Sequence, residues 1–142
     1  MDVVRLTSIL VAFSLAACQL GVAPSFEIRL PSPGEGIAPL DVVVEDHAGV
    51  VSGVTSAAPA DWTEGVSRSD RPGRVIVSWL GGLCDTRATL SIASEGGALT
   101  IRETTETTGG GCLLAGIGRS VAIDLDREAA AETIRLVGDD GT

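Results

Sequence analysis

Apolar and polar residues alternate most clearly in two neighbouring segments. Ala88-Thr-Leu-Ser-Ile-Ala93 alternates strictly, and Leu99-Thr-Ile-Arg-Glu-Thr104 alternates again. That period of two is the signature of strands with one buried face. Between them Gly96-Gly97 offers a tight turn with φ > 0, so the two segments predict a hairpin. Leu40 to Glu45 is a β-branched run, Asp46-His47-Ala48-Gly49 reads as a turn, and Val50 to Thr55 answers it as a second hairpin. Arg74-Val-Ile-Val-Ser-Trp-Leu80 is apolar at nearly every position, which predicts a strand buried on both faces. Ser120 to Leu125 places Val121, Ile123 and Leu125 on one face, and Ile134-Arg-Leu136 repeats the pattern.

The connections are equally legible. Ser56 to Gly73 holds Pro59, Gly65 and Pro72 and predicts a long surface loop, with Trp62 folding back over an edge of the core. Thr107 to Gly118 is a Gly-rich loop around Cys112. Asp126 could cap a helix through Glu128 and the three alanines 129–131, but flanking strands favour a turn or a single helical turn. Gln19 to Ile37, with Pro24, Pro31, Pro33, Gly34 and Gly36, reads as a tether, although Phe26 to Leu30 alternates as a first edge strand would. Seven or eight short strands at turn-separated spacing predict an all-β fold. The expectation is a small immunoglobulin-like β-sandwich over 39–138, with a small barrel as the alternative and a disordered tail at 139–142.

Composition narrows the chemistry. A chain of 142 residues with 44 % hydrophobic and 20 % charged positions is a one-domain globular protein. Ten basic against nineteen acidic side chains give a net charge of −9, which argues against nucleic acid as a partner. All ten are Arg, and Lys, Asn and Tyr are absent, so Schiff-base chemistry, N-glycosylation and a Tyr acid are excluded. With only two Trp and two Phe, the core is aromatic-poor. Trp79, in the most continuously apolar segment, is the ring expected at its centre.

The N-terminus carries an address. Arg5 is the only positive charge ahead of an apolar run from Leu6 to Leu15. That run is too short to span a bilayer, which takes about 20 residues, and has the length of a signal peptide core. It ends in Leu15-Ala16-Ala17-Cys18, small residues followed by a nucleophilic thiol. This segment resembles the lipobox of bacterial lipoproteins. The resemblance implies removal of 1–17, acylation (palmitate among the chains) of Cys18, and a lipidated flexible tether over 18–38. Two or more acyl chains anchor stably in a bilayer, so the expected location is extracytoplasmic and membrane-anchored. By the same resemblance, Gln19 carries no inner-membrane retention signal of the Asp type.

Outside the cytoplasm, the two remaining cysteines, Cys84 and Cys112, read as a disulfide. No CxxC is present and no His lies near either, which disfavours a redox or metal site. His47 is the only histidine. Asp46 beside it is a poor orienting partner, Ser52 or another serine could meet it in space, and Glu45 and Asp46 lack metal-ligand spacing. Asp124, Asp126, Glu128 and Glu132 form no calcium loop, and the glycines at 109–111 and 116–118 match no phosphate-binding fingerprint. No catalytic residue, metal or cofactor is therefore assigned.

One string is more specific. Trp79-Leu80-Gly81-Gly82-Leu83-Cys84-Asp85, followed by Cys112 to Arg119, resembles an arrangement in uncharacterised lipoproteins of GC-rich bacteria. It implies a secreted β domain with a cysteine pair and no catalytic activity. From the residues themselves, Trp79, Asp85 and Arg119 are read as structural. Asp85 and Arg119, each close to one cysteine, are candidates for an ion pair across the bridge. The expected function is a non-catalytic, lipid-anchored envelope interaction or structural module with an unknown protein partner. A small-ligand or metal-binding accessory lipoprotein is the runner-up, and an envelope hydrolase using His47 the third reading.

Overall fold

The computed structural model describes residues 21–58, 64–109, 116–131 and 133–138. The signal segment, Cys18, Trp62, Cys112 and the 139–142 tail lie outside them. The described residues form nine strands and one short helix, in order: β1 Ser25–Leu30, β2 Leu40–Asp46, β3 Val51–Ser56, β4 Gly65–Arg68, β5 Arg74–Gly81, β6 Asp85–Glu95, β7 Ala98–Thr107, β8 Ile117–Leu125, α1 Arg127–Ala131 and β9 Thr133–Val137. They form a small all-β sandwich. A five-stranded sheet has the order β1-β2-β6-β7-β9, and a four-stranded sheet the order β3-β8-β5-β4.

Each sheet turns one apolar face inward because register aligns like with like. In the larger sheet Phe26 stands opposite Val44 and Val44 beside Leu90. On the next strand pair Ile92 faces Ile101. In the smaller sheet Val75 pairs with Ile123 and Val77 with Val121. Leu40, Val42, Val44, Val77, Leu90, Ile92 and Ile123 are wholly buried. Each such side chain contributes about 1.5–3 kcal/mol relative to exposure, before the entropy of ordering the chain is subtracted. At the two open seams β1 packs against β3 and β4 against β9.

The hairpin of β6 and β7 forms as its pattern predicts, through Gly96 (φ 60°) and Gly97 (φ 80°). The second expected hairpin does not form. β2 belongs to the larger sheet and β3 to the smaller, so 46–50 crosses between sheets. β2 already has partners on both edges, antiparallel β1 and parallel β6. The buried Asp46 fixes the crossover: its Oδ2 accepts from the Val51 amide at 2.8 Å, and the His47 amide donates to Ile92 O at 2.9 Å.

Three further expectations are corrected. The tether does not run to residue 38, because 25–30 is an edge strand paired with β2 along its length. The loop 56–73 contains β4, which pairs with β5. β5 is buried on one face only: Val75, Val77 and Trp79 point inward, Ile76 and Ser78 are half-buried, and Leu80 is 53 % exposed. At 127–131 the chain makes the single helical turn, with the Ala130 amide donating to Asp126 O at 2.9 Å.

Candidate functional site

The residues of the Trp79–Asp85 string and Arg119 meet at one end of the sandwich. β5 ends at Gly81, and the chain crosses from the smaller to the larger sheet through 82–84, where β6 begins at Asp85. β8 starts opposite, with Gly81 paired to Ile117 and Trp79 to Arg119. Because paired positions share a face of the sheet, Arg119 points inward beside Trp79. Both are almost wholly inaccessible, Trp79 at 2 % and Arg119 at 3 %.

The two glycines of the string have a specific task. The Asp85 carboxylate folds back over the turn and its Oδ2 accepts the Gly82 amide at 2.6 Å. A Cβ on Gly81 would stand 2.9 Å from that same oxygen and 3.4 Å from Arg119 Cγ, and one on Gly82 would stand 3.1 Å from Asp85 Oδ1. Side chains at 81 or 82 would thus displace the carboxylate from its donor. Cys84 sits in this turn, and its carbonyl accepts the Thr108 amide at 3.2 Å. The start of the Gly-rich loop that holds Cys112 is therefore hydrogen-bonded to the turn that holds Cys84.

Asp85 and Arg119 are both buried here, but they form no ion pair within 4.0 Å; the charges interact through space only. Asp85 is engaged with the Gly82 amide instead. Burial pushes the Arg119 guanidinium below its usual range, and the charge of Asp85 offsets this in part. Arg119 Nε and Nη2 are buried with no hydrogen-bond acceptor among the described residues, and so is Trp79 Nε1. Leaving a buried donor unsatisfied costs about 1–3 kcal/mol, and more where the donor is charged. Three orphan donors on one cross-strand pair are thus an exceptional feature of this end of the molecule.

Arg119 also borders a cavity of about 400 Å³. Its walls come from the end of β1 with Leu30, Pro31 and Pro33, from the end of β3 with Ser56 to Ala58, and from Ile117 to Ser120. β3 follows β8 as far as Ser56 opposite Val121, with one more bond from Ala57 N to Ser120 O at 3.4 Å. Beyond it the inner edge of β8 borders the cavity. Sequence reasoning assigned Arg119 but missed the β1 wall, having placed 31–33 in the tether. The Pro31-Ser32-Pro33 stop directly after an alternating strand was the available signal.

The other candidates stand apart. His47 is exposed, and its Nε2 lies 3.3 Å from the exposed Glu45 Oε2. Ser52 Oγ donates instead to Asp124 O at 3.3 Å. Asp124 is held by the Arg74 fork, with Nε to Oδ1 at 2.7 Å and Nη2 to Oδ2 at 2.8 Å. Among the described residues no three His, Cys, Asp or Glu side chains gather as metal ligands would. None of the described helices is long and apolar enough to cross a membrane. The chain matches no family model, no curated protein and no solved structure.

Proposed function

We propose that the chain is a non-catalytic, lipid-anchored domain of the bacterial cell envelope that works by binding. The observation that carries this reading is the adjacency of anchor and fold: β1 begins seven residues after Cys18. Seven extended residues span about 25 Å at most. Acylation of Cys18 would therefore hold the sandwich next to the bilayer without a spanning segment, and the net charge of −9 would keep it off anionic headgroups. Gln19 favours the outer membrane in a cell with two membranes, and a surface position in a cell with one. A partner protein of the envelope is the expected binding target.

An extracytoplasmic address also favours a Cys84–Cys112 disulfide, and the Thr108–Cys84 hydrogen bond supports it by bringing the two loops together. The non-catalytic part is supported by chemistry: the side chain of His47, the only histidine in the sequence, is exposed and is hydrogen-bonded to the carboxylate of Glu45 rather than to a nucleophile among the described residues. Mass spectrometry of the protein from native membranes tests the reading. The expected N-terminus is acylated Cys18, and Cys18→Ser should leave an unlipidated precursor. A native chain that still begins at residue 1 without acyl groups overturns it.

A further inference from the structure

We infer that the open edge of β8 at Gly118 is a docking site for an extended segment of a partner polypeptide, which pairs with it as an added strand and seats apolar side chains in the adjoining cavity. The inference rests on the reading that the chain works by binding a protein partner, and it names where and how.

The main chain carries the argument. β8 pairs with β5 in unbroken register from Asp124 down to Ile117. On the other edge β3 reaches only Val121, and one further bond runs from the Ala57 amide to Ser120 O at 3.4 Å. Successive residues of a strand aim their amide and carbonyl at opposite edges. The Leu125 amide donates to Gly73 O, just ahead of β5, and the Asp126 amide to Val50 O, just ahead of β3. Odd positions of β8 therefore face β5, and even positions face the β3 side. Gly118 is the next even position beyond Ser120, so its amide and carbonyl point to the edge that β3 has left. Continued in register, the β3 ladder would set Pro59 opposite Gly118, and proline has no amide to give. No strand among the described residues takes that place. An edge left open in this way is a template for another extended chain.

The surroundings state which chain. Gly118 lies in the wall of the cavity of about 400 Å³, beside Leu30, Pro31, Pro33, Ala57 and Ala58. The prolines lack amides, so that wall offers packing and little rival pairing. Residues opposite each other in a sheet share a face. Gly118 is paired with the exposed Leu80, so a residue opposite Gly118 points outward and its two neighbours point inward, on the cavity side. No carboxylate lines the cavity, and apolar neighbours fit it. The net charge of −9 favours basic residues at the ends of the segment, which stay in solvent. The occupant is an extended peptide with the pattern apolar-x-apolar and basic flanks.

Selection from a random heptapeptide library on the full-length chain carrying Cys18→Ser tests the site, with affinities of enriched peptides read by fluorescence anisotropy. Enriched peptides should share the apolar-x-apolar pattern with Arg or Lys near an end. N-methylation of each peptide amide in turn should find a position where affinity falls about tenfold or more, the loss expected when one main-chain hydrogen bond goes and its carbonyl is left unpaired. Gly118→Pro removes the open amide and no bond to β5, and it should weaken binding by about tenfold or more. Ala58→Trp, which fills the exposed rim, decides the matter if Gly118→Pro does not fold. No enriched peptide, or binding undiminished by N-methylation at every position or by either folded variant, overturns the site. The N-terminal mass of the native protein is unaffected by any of these results, so the anchor reading stands or falls separately.

Discussion

Trp79 and Leu80 are neighbours in the chain, yet one is 2 % exposed and the other 53 %. Strand geometry sends them to opposite faces of the sheet. Trp79→Ala should therefore cost about 3–5 kcal/mol, the range for truncating a buried aromatic. Leu80→Ala should fall within about 0.5 kcal/mol of the parent. Urea denaturation of both variants checks the contrast, and a Trp79→Ala midpoint equal to the parent's would refute its core role. Arg119 should behave in the opposite sense to an ordinary core residue. Replacing a buried guanidinium whose Nε and Nη2 have no acceptor among the described residues with Met should leave stability unchanged or raise it by about 1–4 kcal/mol. Asp124 sets a pH dependence. The hydrogen bonds from Arg74 hold its carboxyl below the usual range, with burial opposing and the charges of Arg74 and Arg71 assisting. A depressed folded value means stability that is present above about pH 4, the ordinary carboxylate value, and is lost as pH falls through the lower folded value. Asp124→Asn should flatten that part of the stability profile between neutral and acid pH, and an unchanged profile would count against it.

At the level of elements, turns separate what local chemistry decides from what it does not. The Gly96-Gly97 turn declares itself because positive φ at two consecutive residues is a local requirement that glycine meets without steric cost. The 46–49 segment carries the same kind of turn residues but joins two sheets, because the pairing of β2 was decided by β6, some 40 residues away. Gly73 is a harder case still. It has φ 80°, its carbonyl accepts the Leu125 amide at 2.7 Å, and a Cβ there would sit 2.9 Å from Leu125 O. Gly97 has the same φ, but nothing lies within 4 Å of its Cβ position. Gly97→Ala should thus cost about 1–2 kcal/mol from backbone strain alone, and Gly73→Ala clearly more, because backbone must move as well. Thermal denaturation of the two variants gives the ranking, and equal losses would show that the close approach to Leu125 is relieved without cost.

For the whole molecule, the bridge proposed between Cys84 and Cys112 would close a loop of 29 residues. The loop-entropy model assigns it about 3.6 kcal/mol. Reduction should lower the denaturation midpoint accordingly, and thiol titration of the unfolded, oxidised chain should find neither cysteine free; two free thiols there would eliminate the bridge. The sequence by itself determined the β class, the β6–β7 hairpin, the inward Val, Ile and Leu positions, and Trp79 as a core ring. These follow from residue spacing and from the conformational limits of glycine and β-branched side chains, all of which act over a few positions. Only the tertiary structure decided that β1 joins the fold, that β2 pairs in parallel with β6, and that Arg119 faces inward without its expected partner. Those outcomes depend on which strand edges remain open once others have paired, and on which donor claims a carboxylate first. The Gly82 amide, three residues from Asp85, claims it at the turn, and Arg119, arriving from another strand, is buried beside Trp79 without it.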